Sequence, residues 1–346
     1  RGDTALFLWR PAPGEPAPAA VALAGDLNGW SPTASPLTPV GGVWVRRESL
    51  APASRVDYKL VVDGDWRLDP ANPLRQWGGA GPNAELRMPE WRPEPLTVRD
   101  PGVPAGTLGP PDTLRAGRYD APVVVRVYEP AGAHARGPLP TLYVTDGGDY
   151  ADDRLGALVT VLDNAIDAGL VAPLRAVFID PRWEASNRRA EQYVQNAAFA
   201  SFVADDLVPW VEGRYDAVPG RGGRAVLGTS LGGLFAAYVA TQHPDVFGRL
   251  AIQSPAFWVS EPNDWAAWEG PTIYDAVASL PPGTLTVHLS AGTIRDTHEQ
   301  ARRMRDVLVA GGHAVSYVEV PEGHSWGNWR ALLDDALVAL FPPTDS

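Results

Sequence analysis

One stretch limits what this chain can fold into more than any other: Arg224-Ala-Val-Leu-Gly-Thr-Ser-Leu-Gly-Gly-Leu-Phe-Ala-Ala-Tyr238. A short apolar run ends in Gly228-Thr-Ser230-Leu-Gly232, and Ala-rich helical sequence follows at once. This is G-x-S-x-G between a strand and a helix, the setting that exposes a serine hydroxyl above a sheet edge and at the start of the next helix. A Cβ on either flanking residue would strike the neighbouring strand or helix, so glycine belongs at both places. The bare pattern also occurs as an ordinary turn. Its position here, with a further glycine at 233, favours a nucleophile at Ser230.

The surrounding chain agrees. From about residue 119, apolar strands alternate with helices. Strands are expected at 123–128, 140–145, 174–180, 250–254, 285–291 and 315–320, and helices at 153–168, 196–215, 298–310 and from Trp326 to about Leu340. Alternation with wholly apolar strands means a doubly wound, mostly parallel sheet. Joined to the serine turn, that is an α/β-hydrolase domain over 119–346. Residues 1–95 read differently, as short strands (5–9, 20–24, 43–46, 57–62) between Pro/Gly turns, which predicts a small immunoglobulin-like β-sandwich. Prolines at 93, 95, 101, 104, 110 and 111 make 96–118 an extended, stiff linker by composition.

Composition narrows the function classes. With 346 residues, 45% hydrophobic and 20% charged, the chain is long enough for two domains and reads as globular. A net charge of −12 argues against nucleic acid and anionic membranes as partners, and no run approaches a membrane span. The absence of cysteine excludes disulfides and thiol catalysis. No histidine pair has metal-ligand spacing, so no metal is expected. No charged-then-apolar leader pattern follows Arg1, and a cytoplasmic location is the expectation unless the substrate is an exported polysaccharide. Oligomeric state is not legible.

A serine nucleophile needs a base. His134, His243, His288, His298 and His313 fall in a loop, a helix stop, a strand, a helix start and a turn. His324, in Pro321-Glu-Gly-His-Ser-Trp326, follows the last strand, where the order serine, acid, histidine puts the base. The acid should follow the strand 285–291. Asp296 is the first choice, with Glu299 as the alternative and a helix cap as the competing role for Asp296. An oxyanion hole needs two backbone amides. Leu231 offers one, and Gly147 or Gly148, in the Asp-Gly-Gly turn after an early strand, offers the other.

Two resemblances sharpen this. Gly25-Asp-Leu-Asn-Gly-Trp30, Gly42-Val-Trp44, Tyr58-Lys-Leu-Val-Val-Asp-Gly-Asp-Trp66 and Asp69-Pro-Ala-Asn-Pro73 resemble family 48 carbohydrate-binding modules. That resemblance implies sugar contacts at Trp30, Lys59 (the one lysine of the chain) and Trp66, against a bland reading as turn packing. Leu142-Tyr-Val-Thr-Asp-Gly-Gly148, the serine turn, Ser254-Pro-Ala-Phe-Trp258, Ser290-Ala-Gly292 and Gly323-His-Ser-Trp-Gly-Asn-Trp-Arg330 together resemble the esterase D group of α/β-hydrolases, and within it the enterochelin (enterobactin) esterases. The resemblance implies a cofactor-free serine hydrolase with nucleophile Ser230 and base His324, acting on catecholate siderophore esters. Members often carry a carboxylate where this chain has Arg295, which leaves the acid the least secured position.

An aromatic substrate, anionic when it carries iron, suits arginines and indoles. Arg182, Arg188 and Arg189, with Trp183, Trp258 and Trp326, are the candidate substrate contacts, solvated loop charges being the plain alternative for the arginines. The rival reading is a feruloyl or acetyl esterase for plant polysaccharide with a working sugar module. A non-enzymatic sugar-binding or scaffolding protein is a third reading. It is weakened because every triad position holds a suitable residue.

Overall fold

The structure is a computed structural model and describes residues 2–265 and 268–343. The polypeptide divides into two compact units. The first contains the chain up to Pro93 together with two later segments, 292–296 and 319–328; the second contains 94–291, 297–318 and the chain from 329.

The first unit is an antiparallel β-sandwich. One sheet pairs β1 (Thr4–Trp9) with β4 (Val43–Ser49) and β3 (Thr38–Val40). The other runs β2 (Val21–Gly25), β5 (Arg55–Val62), β8 (Gly81–Arg87) and β7 (Arg75–Gly78), with β6 (Asp65–Arg67) on β5. Alternation decides which side chains go inward: Ala5, Phe7 and Trp9 are buried while Leu6 and Leu8 face out. Phe7 meets the ring of Tyr58 edge to face at 5.0 Å, and Leu23, Val56 and Leu60 complete a core drawn from both sheets.

The second unit is the α/β-hydrolase sheet. Its strands are β9 (Thr107–Leu108), β10 (Asp112–Ala116), β11 (Tyr119–Glu129), β12 (Thr141–Val144), β13 (Arg175–Asp180), β16 (Arg224–Thr229), β17 (Arg249–Gln253), β18 (Thr286–Gly292) and β19 (Ala314–Val320). A separate small hairpin is formed by β14 (Arg182–Trp183) and β15 (Ser186–Asn187). The sheet order is β10-β11-β13-β12-β16-β17-β18-β19, with β9 paired to β11. Strands β13, β12, β16, β17 and β18 are parallel, so β16 and β18 end at the same edge. These strands are buried along nearly their whole length, as expected when helices cover both faces.

The helices are α1 (Gly147–Ala151), α2 (Leu158–Asp167), α3 (Arg189–Tyr193), α4 (Ala197–Phe202), α5 (Val208–Glu212), α6 (Leu231–Gln242), α7 (Ile273–Ala278), α8 (His298–Ala310), α9 (Trp326–Ala331) and α10 (Leu333–Leu340). Against the central helix α6, Phe235 packs on Tyr193 and Phe199. The helix α6 is apolar on every side, which is how a helix buried on all faces reads.

Three expectations need correction. The segment 96–118 is not a free linker. Its second half supplies β9 and β10, both antiparallel to β11, while α2 holds its first half through Asn164 Nδ2 to the carbonyls of Leu96 (2.8 Å) and Val98 (2.9 Å). The prolines bracket these short strands instead of interrupting them. The helix expected over 196–215 runs without interruption from Ala197 to Glu212, but it contains a π-helical turn, Val203–Leu207, before α5. Pro209 has no N–H for the carbonyl four residues back, and the amide of Val208 reaches Val203 instead. The terminal helix from Trp326 is two helices, parted at Leu332.

Candidate active site

In the second unit, β16 runs straight into the turn and α6 begins at the next residue. Ser230 sits at φ 57°, ψ −119°, a conformation an L-residue holds only where its surroundings enforce it. Its amide donates to the Gln253 carbonyl (3.0 Å), and its own carbonyl accepts from Leu234 (3.1 Å) and Ala256 (3.0 Å). The flanking glycines are sterically required. A Cβ at Gly228 would lie 2.1 Å from the Gly232 carbonyl oxygen, and one at Gly232 would lie 2.3 Å from Thr145 Oγ1. Ser230 is half-buried, and the Leu231 amide opens α6 behind it, where the first-turn N–H groups lack helical acceptors.

The second candidate amide donor, Gly147-Gly148, forms the first turn of α1. Glycine at 147 is dictated by contact with β13, since a Cβ there would stand 2.5 Å from the backbone of Phe178 and Ile179. Asp146, just before it, is buried in the left-handed region with its amide bonded to Tyr193 Oη at 2.8 Å. Arg189 grips the Asp146 carboxylate with both Nε (2.8 Å) and Nη2 (2.9 Å) and reaches the Thr229 carbonyl at 3.3 Å. One guanidinium thus ties the glycine loop to the strand that precedes Ser230.

That assignment changes the reading of the arginines. Arg189 is committed to Asp146. Arg182 is committed to Asp180 (2.8 Å) and Asp149 (2.7 Å), and Arg188 to Glu191 (3.1 Å). Arg182 remains 44% exposed, so its outer face is still open. Trp183 is half-buried with Arg115 over its ring, and Trp258 is exposed beside Trp265 at 5.8 Å. Sequence reasoning assigned Arg189 to substrate; a buried acid directly before a Gly-Gly turn was the signal for its structural partner.

In the first unit, the segments 292–296 and 319–328 bring Asp296 and His324 together. His324 Nδ1 lies 2.7 Å from Asp296 Oδ1, and the Asp296 side chain is fully buried while that of His324 is 37% exposed. The other Asp296 oxygen accepts from the Gly292 amide at 2.7 Å and from Asn328 Nδ2 at 3.5 Å. With the carboxylate held this way, the imidazole carries its proton on Nδ1 and its lone pair on Nε2. Arg295 adopts the left-handed region (φ 48°), which turns the chain so that Asp296, one residue on, points back to the histidine. Asp296 does not cap α8, whose cap position is Thr297, and Glu299 stands exposed in the first turn of that helix. Trp326 is buried, with 6% exposure, which withdraws it as an indole face for a ligand.

Trp30 and Trp66, also in the first unit, stack on each other at 6.4 Å and 22°. Trp66 opposes Val61 in the β5–β6 ladder, so Lys59, two residues from Val61, shares its face of the sheet. Trp66 is exposed, and Trp30 is half-buried with its Nε1 donating to Asp26 at 3.2 Å. Two other histidines are buried and hydrogen-bonded away from the site: His288 Nδ1 meets Ser316 Oγ at 2.9 Å, and His313 Nδ1 accepts from the Leu285 amide at 3.3 Å. Burial lowers the pKa of both.

The Esterase family model matches residues 117–340, most of the chain. The chain belongs to the Esterase family. Among curated relatives of this esterase, the iron(III) enterobactin esterase of Dickeya dadantii is 27% identical over 305 residues, which cover 80% of this chain and 65% of that protein's length. Among solved structures, ferric enterobactin esterase from Salmonella typhimurium superposes with a TM-score of 0.80 at 20% identity, covering 98% of this chain and 94% of the other. The ferulic acid esterase of Anaeromyces mucronatus gives 0.56 at 17% identity over 72% of this chain and 97% of its own.

Proposed function

We propose that this esterase hydrolyses siderophore esters of the enterobactin type through an acyl-enzyme on Ser230. The observation that carries the chemistry is the 2.7 Å bond between His324 Nδ1 and the buried carboxylate of Asp296, which supports a role for the imidazole as a base through Nε2. In the proposed cycle, Ser230 Oγ attacks the ester carbonyl while His324 accepts the hydroxyl proton and Asp296 stabilises the imidazolium. The amides of Leu231 and of Gly147 or Gly148 donate to the oxyanion. Collapse breaks the carbon–oxygen bond, and His324 passes the proton to the leaving alcohol. Water then attacks the acyl-serine with His324 as base again, which releases the acid and restores the enzyme.

The substrate class is supported by the enterobactin esterase relatives, whose likeness takes in the N-terminal β-sandwich as well as the hydrolase sheet. Exposed Trp258 and the outer face of Arg182 are the aromatic and cationic groups such a ligand would use. One observation favours a second reading, a feruloyl esterase with a sugar-binding module: Trp66 shows an exposed indole on the face that carries Lys59.

The test is kcat/KM on ferric enterobactin and on a feruloylated oligosaccharide side by side, with Ser230→Ala as the blank. A large siderophore preference that Ser230→Ala abolishes is the expected result. An oligosaccharide preference that Trp66→Ala weakens would establish the second reading, and equal activity of Ser230→Ala and wild type would remove the mechanism.

A further inference from the structure

One fully buried charge in the first unit plays no part in the chemistry above. Arg55 opens β5 with 1% of its surface exposed. Its Nε donates to Glu85 (2.7 Å) and its Nη2 to Asp57 (2.7 Å), both on the same sheet. Its remaining nitrogen, Nη1, reaches the histidine segment, donating to Glu322 Oε2 (3.1 Å) and Ser325 Oγ (3.2 Å). Those two residues flank Gly323-His324. Backbone joins in as well, for the Arg55 amide donates to the Pro321 carbonyl at 3.3 Å.

The rest of the segment is seated by the same sandwich. Glu322 Oε1 accepts from Trp91 Nε1 at 2.9 Å. A Cβ on Gly323 would lie 2.2 Å from Asp26 Cγ, and one on Gly327 would lie 2.0 Å from Arg55 Nη2, so the segment lies flush against both side chains. The acid segment is treated alike: Arg295 Nε donates to the Leu27 carbonyl at 3.0 Å and Ile294 packs on the sandwich core. A charge buried this deeply is costly unless every partner is in place, and a five-donor fork is the group that can serve four acceptors at fixed angles.

We infer that Arg55 is a positioning residue for the base: through Glu322 and Ser325 it sets the His324 imidazole against Asp296, which makes the β-sandwich the seat of the acid–base pair in addition to any ligand role. The inference rests on the esterase reading for its catalytic consequence and on geometry alone for the placement of the ring.

The experiment measures both, separately, in the full chain. Arg55→Met removes the fork and can fail to fold, so the decisive variants are Glu322→Gln and Ser325→Ala, with Val61→Ala as a control in a buried cluster of the sandwich, with Ala22 and Ala24, separate from the core on which Ile294 packs. The first readout needs no substrate: the low-field proton resonance of His324 Nδ1–H bonded to Asp296, assigned by its loss in Asp296→Asn. The second is kcat and KM on p-nitrophenyl acetate. The expected result is that folded Glu322→Gln and Ser325→Ala lose or broaden the resonance and lower kcat between about 10- and 100-fold at unchanged KM, as a displaced catalytic group does. Val61→Ala should keep both. A resonance and kcat matching wild type in both folded variants would overturn the inference. If wild type hydrolyses no ester but the variants still lose the resonance, the positioning role stands and the esterase reading falls.

Discussion

Asp296 is the residue at which the structure adds most to the sequence. The chain offers two acids after β18, and spacing makes Asp296 the first choice with Glu299 as the alternative. Geometry separates them: Asp296 is buried on His324 Nδ1, while Glu299 is exposed on α8. Replacing Asp296 by asparagine keeps the size but presents an amide where the Nδ1 proton needs a carboxylate, which favours the wrong tautomer. The expected outcome is a fall in kcat of about 10⁴-fold with KM little changed, while Glu299→Gln retains wild-type rates. Steady-state kinetics on one ester for both variants checks it; equal losses would return the acid to an open question. Ser230 and His324 stand out in the sequence because each occupies a slot defined by its neighbours, glycines in one case and a terminal strand in the other. Arg55 was not. Its signal was present, since Arg55 and Asp57 stand two apart on one face of a strand whose other face is Val56, Tyr58, Leu60 and Val62, but the partner 267 positions away in sequence is visible only in the fold.

At the scale of elements, the legible parts are those with a single physical cause. Parallel strands buried on both faces are apolar throughout, and β13, β16, β17 and β18 were read within a residue or two. Elements that depend on competing causes were misread. Strands β9 and β10 lie in a proline-rich run whose composition argues for a linker, although the backbone of each pairs with β11. The π-helical turn at 203–207 sits before a proline that has no N–H to give, a detail that periodicity does not register. The serine turn shows what a single-cause element predicts. The Gly228 Cβ position is filled by the Gly232 carbonyl, which is backbone and cannot swing aside. Gly228→Ala should therefore cost about 3 kcal/mol or more and lower the amount of folded enzyme. Gly222→Ala, with nothing within 4 Å of its Cβ, should stay within about 0.5 kcal/mol of wild type. Urea unfolding of the two variants reads the contrast directly, and similar midpoints would mean that the turn relaxes.

For the whole molecule, the burial of Arg55 among carboxylates links folding to pH. The sandwich and its two late segments enclose Asp26, Asp57, Glu85 and Glu322 around Arg55, with Arg87 reaching Glu85 at 2.9 Å. Acids outnumber bases there, and the excess is relieved by protonation. Burial, and then the neighbouring Asp57 carboxylate, push Asp26 up to about 7, while its bonds to the Asp57 amide and to Trp30 and the charge of Arg55 pull the other way. Burial likewise raises Asp57. The folded state thus keeps a proton that the unfolded chain has released once pH passes the ordinary carboxylate range near 4. A raised carboxyl pKa gives stability that is fully present below the unfolded value and is lost as pH rises through the folded one. Asn at position 26 cannot ionise. Asp26→Asn should therefore gain on wild type as pH climbs from about 4 to about 7, by at least about 1 kcal/mol, the worth of one pKa unit, and hold a constant offset above that. Other shifted groups, such as Asp149 and Asp334, are common to both proteins and drop out of the difference. The measurement is the urea midpoint of both proteins at steps of pH. An offset that stays flat across the window would show that the proton resides elsewhere in the cluster.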